Sequence, residues 1–258
     1  MKERTATWVE QVEKKFVPKE PFPIVDVTLI LPVYNCSERA AISLESVRRQ
    51  NYPHLEIIVI DAGSTDRTLD VISSFASMIT RIYTVTEYDL SEMMNCGISL
   101  ASGKYITFLF PGSFYLSSYA LPLMAEAVVE GGYPDLIYCG SIQKEIKRRA
   151  QLIQDSFNQS ILERGRLPAT VVAIWFRTDL FAKIGKFDRY YKARAVFDLF
   201  CRCSKEKKCT IQLVDRVLVD FDYGPFSYGK HLRIFKETWH SILTHFGFKK
   251  AIMWLIFN

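Results

Sequence analysis

Short, almost wholly apolar runs recur along the chain at VTLIL (27–31), EIIVI (56–60), RIYTV (81–85), YITFLF (105–110) and DLIYC (135–139), separated by segments of helical length and pattern. A strand that is apolar on both faces must be covered on both, and a parallel sheet sandwiched between helices does this. The alternation therefore predicts an α/β fold with a mostly parallel central sheet flanked by helices. Helices are expected at about 38–50, at 66–79 behind the capping hydroxyls Ser64 and Thr65, at 91–101 behind Ser91 and at 118–130 behind Ser117. Beyond residue 140 the rhythm loosens. A basic stretch KEIKRR (144–149) and an apolar run TVVAIWF (170–176) precede helices at 178–185 and near 195–204, two strands at TIQLV (210–214) and RVLVDF (216–221), and a helical tail.

A chain of 258 residues, 49% hydrophobic and 24% charged, makes one generous domain with a sizeable core. Its net charge of +5 suits phosphates, nucleic acid or anionic lipid without choosing among them. Residues 105–125 are uncharged over the length of a membrane span, but Pro111, Gly112, Ser113, Ser117, Ser118 and Pro122 would break such a helix repeatedly. Strand, turn and helix are expected there instead. The opening MKERTATWVEQVEKK lacks the unbroken apolar core of a secretory signal, so a cytoplasmic location is expected, with the six irregularly spaced cysteines as free thiols.

Several chemistries find no support. The turn after the first strand contains no glycine, which removes the dinucleotide fingerprint, and Gly97-ISLAS-Gly103-Lys104 has the wrong spacing and context for a P-loop. Cys201, Cys203 and Cys209, with His231, His240 and His245, are metal-ligand types without a CxxC pair, so buried thiols are expected ahead of a zinc site. No Gly-x-Ser-x-Gly elbow and no nucleic-acid-binding module is present. In open parallel sheets, ligands bind outside the carboxyl ends of the strands. Those ends read Pro32-Val33-Tyr34-Asn35, Asp61-Ala62-Gly63-Ser64, Glu87-Tyr88-Asp89 and Pro111-Gly112-Ser113, a set suited to a base, a ribose and a phosphate.

Three stretches at this spacing, VTLILPVYN (27–35), LEIIVIDAGSTDRT (55–68) and NCGISLASGKYITFLFPGS (95–113), resemble the family 2 glycosyltransferases, in particular the branch that makes bacterial cell-surface polysaccharides. The similarity continues more loosely through TVVAIWFRTDLFAKIGKFD (170–188), AVFDLFCRC (195–203) and YGPFS (223–227). The resemblance implies a single GT-A domain over 27–225, with a nucleotide-binding half (27–140) and an acceptor half (141–225), between an N-terminal extension (1–26) and an amphipathic helical tail (226–258). It implies transfer of a sugar from a nucleotide-diphosphate donor to a polysaccharide or lipid-linked acceptor, with no nucleic-acid partner. Pro32 and Tyr34 resemble residues lining the base, Asp61 the carboxylate that hydrogen-bonds it, and Asp66 a structural aspartate. Asp89 and Glu92 fall in a stretch that resembles a ligand-contacting loop, and Ser113 stands beside the donor at the end of the fourth strand.

The departures from the family pattern cluster where chemistry happens. The fourth strand of the family ends in an acidic metal site, whereas this chain has Phe110, Pro111, Gly112 and Ser113, which leaves Mg²⁺ or Mn²⁺ without a carboxylate. Val196 stands where the catalytic base is expected, with only Asp198 retained as a catalytic candidate beside the more distant Asp188, and Val171 and Val172 replace a His-Gln pair. A positioned base contributes a factor of about 10²–10⁴. Two readings follow. One is a metal-independent transferase in which Arg194, Lys230 or His231, or the pair Arg148 and Arg149, carries the diphosphate charge. The other is a catalytically inactive domain that binds nucleotide sugar or scaffolds a partner enzyme.

The tail repeats Leu232, Phe235, Trp239, Ile242, Leu243 and Phe246 at helical spacing among Lys230, Arg233, Lys236 and His240, and AIMWLIF (251–257) follows Lys249 and Lys250. Such a segment suits either a peripheral position on the inner face of a membrane or a helix packed on the sheet with a frayed apolar end.

Overall fold

The computed structural model describes residues 21–144, 150–222 and 231–257. Strand β1 (Val27–Val33) is buried along its whole length, as an apolar run at the centre of a sheet must be. It pairs in parallel with β2 (Leu55–Asp61) on one side and with β4 (Tyr105–Phe108) on the other, and β3 (Arg81–Thr84) adds in parallel outside β2. Helices α1 (Ser37–Arg48), α2 (Thr68–Ser74) and α3 (Leu90–Leu100) make the crossovers. The α3 backbone lies so close to β1 that a Cβ on Gly97 would stand 2.5 Å from the Cγ2 of Ile30. All four residues of β3 are exposed, so this run is an edge strand and lacks the two-faced burial expected of it.

The second half of the sheet is mixed and adds β5 (Phe114–Tyr115), β6 (Leu136–Lys144), β8 (Ile174–Arg177) and β9 (Ile211–Asp222) in the overall order β3-β2-β1-β4-β8-β6-β9-β5, with β7 (Gln151–Ile153) paired to β6. β8 runs antiparallel to both β4 and β6, and β5 is antiparallel to the end of β9. The two strands expected at 210–214 and 216–221 are one strand, β9, parallel to β6. A register shift opposite Cys139 and Gly140 takes up Asp215 and Arg216, which break the apolar pattern without ending the strand.

Residues 105–125 form strand, turn and helix as expected, ending in α4 (Ala120–Glu130). The remaining helices are α5 (Gln159–Glu163), α6 (Leu180–Ile184), α7 (Ala195–Lys205), α8 (His231–Phe246) and α9 (Phe248–Phe257). None among the described residues is long and apolar enough to cross a membrane. The tail helices are anchored: Ile242 and Ala251 are fully buried, Trp254 donates its indole N–H to the Arg164 carbonyl at 3.2 Å, and Lys250 pairs with Glu163 at 2.6 Å. The apolar end is helical, without the fraying that one of the two readings of the tail supposed.

Candidate functional site

The chain lays β2 and β3 on one side of β1 and then crosses to place β4 on the other, and this reversal of strand order opens a crevice at the carboxyl ends of β1 and β4. A cleft of about 1100 Å³ occupies it, lined by Pro32, Tyr34 and Asn35 after β1, Arg39 of α1, Phe110 and Pro111 after β4, Lys192–Val196 leading into α7, and Asp222 at the end of β9. Arg233 and Ile234 of α8 also line it, which brings the tail into the site. That volume accommodates a ligand of nucleotide-sugar size.

The β1–α1 and β2–α2 loops are tied to each other. Asn35, at φ 44°, accepts from the Thr65 N–H at 2.8 Å through Oδ1, and its own N–H donates to the Ser64 hydroxyl at 3.0 Å. Asn tolerates this left-handed conformation better than most residues. Ser64 and Thr65 are thus spent on the loop, and α2 is instead opened by Asp66, which accepts from the Thr68 N–H at 2.9 Å. The two tyrosines Tyr34 and Tyr88 lie at the cleft with ring centroids 5.1 Å apart and planes tilted by 31°, an aromatic surface against which a base can stack.

Asp89 caps α3 by accepting from the Ser91 and Glu92 N–H groups, at 3.1 and 3.3 Å. Ser91, the expected cap, instead donates to the Tyr191 carbonyl. Burial pushes the Asp89 carboxyl up, but the hydrogen bond from Lys192 at 2.5 Å, the Glu92 N–H and the Lys192 and Arg189 charges outweigh it and hold the group below the usual aspartate value. Asp89 is a fixed anion on the cleft wall.

The turn after β4 is stitched to α1. Arg39 donates to the Pro111 carbonyl from Nε at 3.0 Å and from Nη2 at 2.8 Å. The Ser43 hydroxyl lies 2.7 Å from the Ser113 carbonyl and 3.1 Å from that of Phe110, and accepts from the Gly112 N–H at 3.0 Å. The turn therefore offers a cation no carboxylate, and its Phe110, Pro111 and Ser113 carbonyls are already engaged. Asp222, the carboxylate at this part of the wall, faces the Arg39 guanidinium at 3.3 Å. Residues 110–113 do not fit a divalent ion, and no cluster of His, Cys, Asp and Glu suited to a metal occurs among the described residues. The lining carries Arg39, Arg166, Lys192, Arg194 and Arg233 against Asp89, Asp155 and Asp222, and each carboxylate is ion-paired to one of those cations. The surplus favours a polyanionic ligand.

Of the residues singled out from the sequence, Pro32, Tyr34, Asp89 and Arg194 reach the cleft. Arg194 packs over the Phe197 ring at 4.3 Å and donates to the Gly165 carbonyl. Asp61, Glu92, Ser113 and Asp198 do not line it. The Asp61 carboxylate is buried and accepts from the Gly63 and Ser64 N–H groups, so it shapes the turn beside the base wall. Glu92 pairs with Arg189 at 3.4 Å. Ser113 is fully buried behind the Pro111–Gly112 turn. Asp198 is turned into the protein, 2.8 Å from both Arg202 Nε and His245 Nε2, while its neighbours Ala195 and Val196 face the cleft. Lys230, Arg148, Arg149 and the 223–227 stretch lie outside the described residues, and His231 opens α8.

The sequence reading passed over Arg39, Asp222 and Glu237. Glu237 of α8 is 5% exposed and accepts from the N–H groups of Lys192 at 3.1 Å and of Ala193 and Arg194, both at 2.9 Å. Arg39 had one available signal, its place in the first turn of the helix after β1, beside the carboxyl ends of the strands. Asp222 and Glu237 had none, because distant segments bring Asp222 to the cleft and Glu237 to the 192–194 segment that lines it.

The model of Glycosyl transferase family 2 matches residues 28–168. A PGL/p-HBAD biosynthesis glycosyltransferase of Mycobacterium tuberculosis is 28% identical over 208 residues, covering 78% of each chain. Among solved structures, S. aureus TarS 1–349 in complex with UDP-GlcNAc superposes with a TM-score of 0.66 at 16% identity, over 85% of this chain and 67% of that one. The mannosyltransferase PcManGT from Pyrobaculum calidifontis, in complex with GDP-Man and Mn²⁺, gives a TM-score of 0.61 at 17% identity, over 96% of this chain and 71% of that one.

Proposed function

Because the chain belongs to glycosyl transferase family 2 and has its GT-A fold, we propose that it transfers a sugar from a nucleoside-diphosphate donor to a polysaccharide or lipid-linked acceptor without a divalent ion. The observation that carries this reading is the cleft at the ends of β1 and β4, where an aromatic wall for a base adjoins a surplus of cations. The UDP-GlcNAc and GDP-Man bound to the two structural neighbours support a donor of this class. Neutralising the departing diphosphate is the main electrostatic demand of such a transfer, and side-chain cations meet it here. The carboxylates that face the cleft, Asp89, Asp155 and Asp222, are the groups from which a base for the acceptor hydroxyl is drawn.

The test is donor turnover. Purified protein given UDP-GlcNAc or GDP-Man in EDTA, with a bacterial membrane extract as acceptor source, is expected to release UDP or GDP above the rate without protein. Donor binding with no release in any acceptor mixture would return the alternative of a silent nucleotide-sugar-binding domain.

We further propose that the protein meets its acceptor at a membrane surface, from the cytoplasmic side. In support, α9 leaves Phe248, Ile256 and Phe257 67%, 69% and 78% exposed, beside the exposed Lys249. An apolar edge with adjacent positive charge suits an anionic lipid interface. Ile256→Glu with Phe257→Glu is expected to reduce co-sedimentation with anionic vesicles at least about 10-fold, each buried apolar side chain contributing about 1.5–3 kcal/mol. Unchanged co-sedimentation removes the membrane role. These positions are preferable to truncation at Gly247, which would also remove the buried Ala251 and Trp254.

A further inference from the structure

We infer, on the basis of the family reading above, that Arg39 takes the charge role of a divalent ion in this cleft. Its guanidinium receives the donor diphosphate, and Asp222 is the internal counter-ion that the diphosphate displaces. The guanidinium is seated on the turn after β4 by two hydrogen bonds to the Pro111 carbonyl, at 3.0 and 2.8 Å. The seat depends on Gly112. Its φ of +93° disfavours any side chain, and a Cβ there would stand 2.9 Å from Arg39 Nη2. The Arg39 side chain is 27% exposed and lines the cleft, and no described residue accepts from its Nη1. A planar fork held on one edge presents its other edge to two phosphate oxygens.

Most of the competing devices at this position are already engaged, Arg233 of α8 being the lining cation with no partner among the described residues. At the start of α1 the Cys36 N–H donates to the Thr68 hydroxyl at 2.8 Å and the Ser37 N–H to Asp66 at 3.4 Å, so two N–H groups of the helix start are engaged within the protein. Lys192 is held by the buried Asp89 at 2.5 Å, Arg166 by Asp155 at 3.1 Å, and Arg194 by the Gly165 carbonyl. The Arg39–Asp222 pair is the looser contact, at 3.3 Å, with the carboxylate side chain 37% exposed. A diphosphate carries more charge than the single carboxylate it replaces, so the exchange favours the ligand.

The experiment compares binding of UDP and GDP with that of uridine and guanosine, all in EDTA, for the wild-type protein, Arg39→Ala, Arg39→Lys and Asp222→Asn, with thermal melting to verify folding. Wild-type protein is expected to bind one diphosphate at least about 10-fold more tightly than its nucleoside. Arg39→Ala should weaken that diphosphate by about 10–100-fold while nucleoside affinity stays within about twofold, as loss of charge-assisted hydrogen bonds dictates. Arg39→Lys should retain part of the preference, and Asp222→Asn should tighten the diphosphate severalfold, a gain that a purely structural ion pair would not yield. The inference is overturned if folded Arg39→Ala keeps the wild-type ratio, or if the wild-type protein binds diphosphate only with Mg²⁺ or Mn²⁺. Should Arg39→Ala fail to fold, an unchanged ratio in both other variants overturns it. Binding of neither nucleoside nor diphosphate under any condition defeats the donor reading itself, and this inference with it.

Discussion

Replacing Glu237 with alanine is expected to lower the stability of the protein by about 3 kcal/mol and to abolish most donor and acceptor binding, because one carboxylate supports a whole segment of the cleft. Its two oxygens accept the N–H groups of Lys192, Ala193 and Arg194, the residues that lead into α7 and line the site. Each buried N–H left without a partner costs about 1–3 kcal/mol, and water entering the space left by the side chain recovers part of the total. The carboxylate also sits at the N-terminal end of α7, where the helix dipole favours negative charge. Glu237→Gln keeps one carbonyl oxygen and should lose roughly half as much stability. Urea unfolding followed by tryptophan fluorescence measures the change; a loss below about 0.5 kcal/mol for the alanine variant, the range of an ordinary surface substitution, would show that the 192–194 segment stands without the tail.

The second large effect separates support from catalysis at Asp198. A general base at this position would make Asp198→Asn cost about 10²–10⁴ in turnover with little change in stability. The geometry predicts the opposite. Asp198 is buried between Arg202 and His245, and Arg202 donates further to the carbonyls of Ile184, Gly185 and Lys186, so this pair joins α7 to α8 and to the loop after α6. Removing one partner of a buried ion pair costs about 3–5 kcal/mol, and the remaining carbonyls around Arg202 put Asp198→Ala near the lower end of that range. Turnover per folded molecule should fall by less than about 10-fold, within the loss that removal of a positioned base exceeds. Acid stability gives a second readout. Burial raises the Asp198 carboxyl, but the His245 hydrogen bond and the Arg202 charge outweigh burial and depress it below the ordinary aspartate value. A depressed folded value means that the stabilisation is present above about pH 4 and is lost as pH falls through the folded value. The acid limb of the stability curve should therefore be shallower in Asp198→Asn. A hundredfold loss of turnover in a variant of wild-type stability would restore Asp198 as the base.

The parts of this fold that were legible in the sequence are those fixed by local pattern. β1, β2 and β4 are apolar on both faces because helices cover both, and their runs mark them within a residue or two. β9 was read as two strands because Asp215 and Arg216 interrupt its pattern, and the bulge that absorbs them belongs to its pairing with β6. The site divides in the same way. Pro32, Tyr34 and Asp89 follow strands or cap a helix and were found by position along the chain. Spacing alone does not orient Asp198, because α7 carries the buried Asp198 and the cleft-facing Val196 two residues apart, and only the packing of α8 decides which way each points. Arg39, Asp222 and Glu237 come together across separations that no periodicity records.

The most direct test of the central claim is calorimetric titration of the wild-type protein with UDP and GDP in EDTA, repeated with Mn²⁺ added. The account predicts saturable binding of one of them in EDTA, with an affinity that Mn²⁺ changes by no more than about twofold, since no carboxylate cluster among the described residues holds the ion at the turn after β4. Binding that appears only with Mn²⁺, or no binding in either condition, would contradict it.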